Sequence, residues 1–302
     1  GGGLQACEPA WKLAQAGYAV FLYEMKPEQY TPAHHYTGLA ELVCSNSLKA
    51  DRLASAAGLL KAEMERLGSL LIPCARATAV AAGGALAVDR HRFSDLVTEH
   101  IQNHPNITII QERVTALPKR CAVIATGPLT DGALAEDLER QCGKRLSFFD
   151  AAAPIVSYES LDPEKIFFAA RYDRGDADYI NCPMDQETYT AFYQALIAAE
   201  RAPLHDCDKE FFRVYEGCMP IEVLASRGED TMRFGPLRPV GLIDPRTGHR
   251  PWANVQLRAE NKERTLYNIV GFQTNLKWGE QKRVFSMIPG LENAEFVRYG
   301  VM

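Results

Sequence analysis

No apolar run in this sequence reaches the ~18 to 20 residues a membrane-spanning helix needs, and the chain does not open on the basic-then-apolar pattern of an export leader. These two absences exclude a membrane span and lead to the expectation of a cytoplasmic protein with no membrane partner. Clustered thiols are missing too. Cys7, Cys44, Cys74, Cys121, Cys142, Cys182, Cys207 and Cys218 are scattered along the chain, with no C-x-x-C pair among them. That spacing excludes both a disulfide-dense secreted domain and a cysteine zinc site, so no metal is expected and the thiols read as reduced.

What is present is ordinary in bulk. At 302 residues, 47% hydrophobic and 24% charged, the chain can bury a sizeable core and is long enough for two domains. Charge is uneven along it: residues 1–210 hold 20 Lys+Arg against 28 Asp+Glu, whereas 211–302 hold 13 against 10. An excess this small is most simply solvated surface charge, with a polyanionic partner for the basic end as the sharper reading.

The first residues, GGGLQACEPAWKLAQAGYAVFLYE, change periodicity midway. Leu4, Ala10, Trp11 and Leu13 recur at helical spacing, Gly17 stands where a C-terminal cap belongs, and the run to Glu24 reads as a buried strand. Gly1, Gly3 and Ala6 make a G-x-G-x-x-A turn that opens the helix at Leu4, and Glu24 ends the strand about twenty residues later. Phosphate would sit on the helix N-terminus and a ribose hydroxyl on the acid, so a dinucleotide site is expected. Pro9 is tolerable only near the first turn.

Ala122–Ala125 is a short apolar run closed by Thr126, Gly127 and Pro128, which predicts a parallel core strand carrying its end, Ala125 to Gly127, to the cofactor crevice. Apolar spacings of three and four predict helices in SAAGLLKAEMERLG and RFSDLVTEHIQNH, and ITIIQERV reads as another strand. The pattern is α/β with a parallel sheet. After Pro154 it loosens into short strands, aromatics and turns, which predicts a second domain or a large insertion.

Two thiols stand in unusual company. Cys44 lies in ELVCSNSL, among the hydrogen-bonding residues Ser45, Asn46 and Ser47, where a packing cysteine would have apolar neighbours. Cys218 lies in YEGCMPIE, bracketed by Gly217 and Pro220 in a predicted turn, where reactive groups tend to sit.

Eight blocks, ELVCSNSL, GGALAVDR, VIATGPLT, FFDAAAPIV, DYINCPM, EGCMPIE, GFQTNLKWGEQKRVF and IPGLENAEFVRYGVM, occur in an order that resembles the folate- and FAD-dependent tRNA uracil-5-methyltransferases of the GidA-related flavoproteins. The resemblance covers nearly the whole chain. It implies a Rossmann-like FAD-binding domain over 1–152, a large inserted α+β substrate and tRNA-binding region over 153–285, and a return toward the first domain over 286–302. It implies FAD held by Gly1, Gly3, Leu4, Ala6, Glu24, Asn46, Ala125, Thr126 and Gly127. Methylenetetrahydrofolate would supply the carbon and NAD(P)H the reducing equivalents for methylation of C5 of the T-loop uridine at position 54. The family's two functional cysteines fall on Cys44 and Cys218.

The chemistry accounts for a pair of thiols. C5 of uracil becomes nucleophilic only after something adds to C6, which a thiolate does reversibly, and a second group must then remove the C5 proton. Cys218 is expected to be the nucleophile and Cys44 the acid/base, with Ser45, Asn46 and Ser47 orienting thiolate and pyrimidine. RNA is expected at the basic end, with Lys277, Lys282 and Arg283 for phosphates around Trp278 for stacking, although a tryptophan is more often core. His34, His35, Tyr172 and Tyr179 are further candidates for flavin or folate contact, with surface placement or strand packing as the plainer readings. Two other functions fit less well: wobble-uridine modification within the same group, and an RNA-independent flavin reductase, which would want the absent C-x-x-C pair.

Overall fold

The structure, a computed structural model, describes all residues except 32, 128, 144–151, 174–175, 203–218 and 301–302. The chain divides into two compact units, one formed by 1–79 and 86–148, the other by 80–85 and 149–302.

In the first unit, α1 (Leu4–Gln15) leads into β1 (Val20–Glu24). The buried face of α1 is Ala6, Cys7, Ala10 and Ala14, side chains small enough for close packing. Pro9 lies inside the helix and removes one backbone donor without ending it. The helix stops at Gly17, whose φ of 87° is the left-handed turn a glycine cap supplies. β1 pairs in parallel with β5 (Ile107–Gln111), in register from Val20 opposite Ile107 to Glu24 opposite Gln111. Between them come β2 (Ser47–Ala50), α2 (Ala56–Arg66), α3 (Leu71–Ala77), β3 (Ala79–Val80), β4 (Ala85–Val88) and α4 (Arg90–Gln102), with a small sheet in the order β2-β4-β3. Ser55 and Asp89 cap α2 and α4 by accepting from Gly58 N and Arg92 N. Leu22, Leu39, Phe93, Val97 and Ile101 are among the core side chains, and α5 (Gly132–Cys142) completes the unit.

The expected strand over Ala122–Ala125 does not form. Val123 is 62% and Ile124 42% exposed, and no described strand offers this segment a ladder. An apolar run becomes a strand only where its N–H and C=O groups find partners.

The second unit is built on a six-stranded sheet in the order β11-β6-β10-β9-β8-β7. Its strands are β6 (Ile155–Ser157), β7 (Phe167–Phe168), β8 (Ile180–Met184), β9 (Ala253–Ala259), β10 (Leu266–Ile269) and β11 (Phe296–Arg298). All its pairings are antiparallel. Helices α6 (Gln186–Ile197), α7 (Ile221–Ala225), α8 (Thr231–Phe234) and α9 (Trp278–Phe285) belong to the same unit. Ile180, Tyr189, Phe192, Leu257, Phe272 and Phe285 are fully enclosed in its core. The molecule is therefore mixed α/β, with a parallel β1–β5 pair in the first unit and an antiparallel six-stranded sheet in the second.

The C-terminal segment, expected to return to the first domain, is instead part of this sheet: β11 pairs with β6, and Gly300 N donates to Gln281 Oε1 at 2.7 Å. Tyr172 and Tyr179 lie outside strands. Tyr172 sits in a turn at φ 58° and is 50% exposed, and the Tyr179 hydroxyl donates to the Ala82 carbonyl at 3.1 Å.

Candidate active site

The glycine-rich turn is shaped by what surrounds each glycine. A Cβ on Gly1 would lie 3.0 Å from the Ala125 carbonyl oxygen and 3.1 Å from Thr126 Cα. The turn and the 125–126 backbone thus touch, although no strand carries that backbone there. A Cβ on Gly2 would lie 2.4 Å from a Leu39 methyl and 2.8 Å from Glu24 Oε2, whereas one on Gly3 or Gly127 meets nothing within 4 Å. Gly3 caps α1 with extended backbone, and the side chains cap the first turn neither by hydrogen bond nor with an acidic residue. The positive end of the helix dipole therefore faces open space over Gly3, the geometry an anionic diphosphate requires. An FAD diphosphate fits these residues: Gly3 and Leu4 would present backbone to it, and Ala6, 7% exposed, packs beneath.

Glu24, 7% exposed, is already engaged. It accepts from Gly2 N through Oε2 and from Lys26 N through Oε1 at 2.9 Å. Lys26 in turn donates to the carbonyls of Tyr36 at 2.9 Å and Gly38 at 2.5 Å and to Glu41 Oε2 at 3.2 Å. Glu41 Oε1 accepts from His35 N at 2.8 Å and Tyr36 N at 3.1 Å. His34 shares a 2.6 Å hydrogen bond with Thr31. Ala40, at φ 51°, donates its N–H to the Gly2 carbonyl at 2.8 Å. One hydrogen-bonded assembly therefore runs from the glycine turn through 34–41 to the start of the Cys44 segment.

Cys44 is half-buried. The stretch of chain before it is gripped by Arg90, whose Nη1 donates to the carbonyls of Leu42 at 2.7 Å and Val43 at 2.8 Å. Beyond it, Asn46 is fully buried and exchanges hydrogen bonds with Val88, Nδ2 to carbonyl at 3.1 Å and carbonyl to N–H at 2.9 Å. Ser45 Oγ accepts from Ser47 N at 3.2 Å. The polar residues around the thiol thus hold its backbone. Arg90, Lys26 and Glu41 are positioning residues that motif reading passed over; Arg90 closes the GGALAVDR block, which was the signal available.

The other thiols divide by burial. Burial pushes Cys7 up to about 12 and Cys74 up to about 11, and raises Cys182 further still, so these three are poor nucleophiles at neutral pH. Cys121 and Cys142 are exposed. Cys218 lies outside the described residues. On its C-terminal side, Ile221 N donates to the Gln273 carbonyl at 2.8 Å, and the enclosed Glu222 accepts from Thr274 Oγ1 and Asn275 N, both at 2.8 Å. Burial raises the Glu222 pKa despite these bonds.

At the basic end, Trp278 begins α9 and is 64% exposed, so it is not core. Its ring stacks on Tyr299 at 5.8 Å, and Tyr299 stacks on Phe296 at 5.3 Å. Lys277 pairs with Glu200 at 2.6 Å and Arg283 with Glu280 at 2.6 Å, so two of the three expected phosphate contacts are already neutralised. Among the described residues no group of His, Cys, Asp and Glu could hold a metal ion, and no helix is long and apolar enough to cross a membrane.

A glycine turn opening a helix, a parallel β1–β5 pair and a terminal acid define a dinucleotide-binding protein of the flavoprotein type. The chain belongs to the glucose inhibited division protein A family, whose model matches residues 1–302, and within it to the methylenetetrahydrofolate–tRNA-(uracil-5-)-methyltransferase TrmFO group. It is 58% identical over 303 residues to the protein of that name from Shouchella clausii, covering 100% of this chain and 69% of the relative. The namesakes from Acetivibrio thermocellus and Geobacter sulfurreducens are each 59% identical over 304 residues, with 69% and 70% of their lengths covered. Two crystal forms of Aquifex aeolicus GidA share the fold. Form I has a TM-score of 0.64 at 14% identity over 99% of this chain and 56% of that one, and form II 0.59 at 13% over 99% and 53%.

Proposed function

We propose that this chain carries out folate- and FAD-dependent methylation of C5 of a uridine in tRNA, the T-loop uridine at position 54, with NAD(P)H as reductant. The first unit is then the Rossmann-like FAD-binding domain and the second the α+β substrate and tRNA-binding region. The observation that carries this reading is the continuity of the glycine turn with the Cys44 segment, through Ala40 N to the Gly2 carbonyl at 2.8 Å and the Lys26–Glu41 pair. Cofactor turn and thiol segment are one assembly, as a reaction beside a bound flavin requires.

When bound, FAD would supply reducing equivalents and hold the one-carbon unit, chemistry that side chains lack. The chain's own residues would act on the uracil. The Cys218 thiolate would form a bond to C6, the C5–C6 π electrons moving to C5 and the O4 enolate, and C5 would take up the one-carbon unit as that carbon's bond to its folate-derived carrier breaks, with the two electrons that lower it from the methylene to the methyl level coming from NAD(P)H. Cys44, as thiolate, removes the C5 proton, and the returning electrons expel Cys218 from C6. Arg90, Asn46 and Ser45 fix the Cys44 backbone for that transfer. Gly1, Gly3, Leu4, Ala6, Ala125, Thr126 and Gly127 would hold the dinucleotide. The engaged Glu24 carboxylate retains lone pairs for a ribose hydroxyl, and Asn46 would act from beneath rather than by contact.

The test combines purified chain, unmodified tRNA, NAD(P)H and labelled methylenetetrahydrofolate, with label expected in 5-methyluridine. A 5-fluorouridine tRNA fragment should become covalently attached to wild type and Cys44→Ala but not to Cys218→Ala. An adduct mapped to Cys44 would exchange the two roles, and full activity in both single variants would remove the thiols from the mechanism.

A further inference from the structure

The second unit carries a positive surface remote in sequence from 277–283. Arg171 Nε donates to Gln256 Oε1 at 3.0 Å, and its Nη1 donates to the carbonyls of Arg238 and, at 3.0 Å, Val240. The exposed Arg238 reaches over to the same place, its Nη2 donating to the Tyr172 hydroxyl at 3.3 Å. Among the described residues no carboxylate pairs with either guanidinium. Burial, with the like charge of Arg238 behind it, lowers the Arg171 pKa, as expected of adjacent cations lacking a counter-ion. Four other cations of the unit are compensated: Arg246 by Asp244 at 2.7 Å, Arg233 by Asp230 at 2.5 Å, Lys277 by Glu200 and Arg283 by Glu280.

Between the two arginines stands a fixed aromatic ring. Tyr172 holds φ 58°, a conformation that bulky residues seldom adopt, and its N–H donates to the Gly241 carbonyl at 2.8 Å. A Cβ at Gly241, itself at φ 82°, would lie 3.0 Å from the Tyr172 ring. The ring is thus held in place while 50% of the residue stays exposed. Two uncompensated guanidiniums flanking a rigid, half-exposed ring are suited to a phosphate with an adjoining sugar or base.

We propose that Arg171, Tyr172 and Arg238 form a contact for the tRNA backbone, taking one phosphate between the guanidiniums with the neighbouring nucleotide against the Tyr172 ring. This rests on the tRNA reading above and places binding charge outside the 277–283 cluster. Arg171 also ties down the 238–240 backbone, so the tests use Arg238 and Tyr172.

The experiment measures tRNA binding to the full chain over a range of salt concentrations. Arg238→Ala should weaken binding about tenfold at low salt and remove roughly one unit from the log affinity against log salt slope. Arg238→Glu should weaken it further, Arg238→Lys should keep the slope, and Tyr172→Leu should lower affinity without changing the slope. Circular dichroism should match wild type in each case. Wild-type affinity and slope in Arg238→Glu would overturn this contact while leaving the tRNA reading intact, as would a raised folate or NAD(P)H KM with unchanged tRNA affinity. Failure of the wild type to bind tRNA at any salt would overturn both.

Discussion

The Lys26 ammonium lies 3.2 Å from the Glu41 carboxylate with both side chains largely out of solvent, 6% and 13% exposed. Removing one partner of such a pair leaves a desolvated charge, which costs about 3 kcal/mol or more. Lys26→Met should therefore lower the Tm of the chain by roughly 6 to 12 °C in calorimetry, and Lys26→Met/Glu41→Gln should lower it less than Lys26→Met alone. Equal losses in the two would show that the lysine's carbonyl contacts, not its charge, hold the 36–41 segment.

Neighbouring glycines should fail in different ways. Gly2→Ala puts a methyl 2.4 Å from a Leu39 methyl, so it should destabilise the fold by roughly 1–3 kcal/mol. A Cβ on Gly3 meets no protein atom within 4 Å, so Gly3→Val should leave the Tm nearly unchanged while abolishing flavin uptake, read as absorbance of the purified protein. Stoichiometric flavin in Gly3→Val would remove the diphosphate from the α1 N-terminus.

Buried thiols give the fold an alkaline limit. Cys7 and Cys74 have folded pKa values raised to about 12 and about 11, so the unfolded chain ionises first. Their contribution is complete below pH ~9 and lost as pH rises toward those values, at about 1.4 kcal/mol per pH unit for each thiol. Urea unfolding from pH 8 upward should show this decline, and it should be shallower in Cys7→Ala. A parallel decline in wild type and variant would exclude Cys7 as its source.

Glu222 adds a loss in the same direction at lower pH. Its raised pKa means that the unfolded chain ionises before the folded one, so its contribution is present in acid and lost as pH climbs from about 4.5 through the folded value. Glu222→Gln should therefore narrow the stability gap to wild type, or reverse it, on going from pH 5 to pH 8. A gap independent of pH would mean that the carboxyl does not change ionisation on unfolding.

At the basic end, Lys282→Ala should reduce both tRNA affinity and salt slope, the latter by roughly one unit, while Lys277→Ala should do less because Glu200 already holds that ammonium at 2.6 Å. Trp278→Ala should weaken binding through loss of a stacking face worth ~1–3 kcal/mol. Unchanged affinity in all three would leave this surface without an RNA role.

Local periodicity made α1, β1, α4 and β5 legible, because each buries one face, and Gly17 marked the end of α1. The 122–125 run misled because hydrophobicity says nothing about who supplies the ladder. The antiparallel sheet was hidden for a related reason: β6, β7 and β11 are each two or three residues long, shorter than any periodicity can register. At the site, the glycine turn and Cys44 were visible as residue types. Lys26, Glu41 and Arg90 were not, since their work is to hold backbone many residues away, and a single charged residue carries no mark of its distant partner.

The assignment of 80–85 to the second unit, with Gly83 N donating to Asp178 Oδ2 at 2.9 Å, means that the chain passes from one unit to the other after residues 79, 85 and 148. No single cut in the gene would yield both units whole. Recombination at any one junction would therefore separate a segment from the unit it packs in.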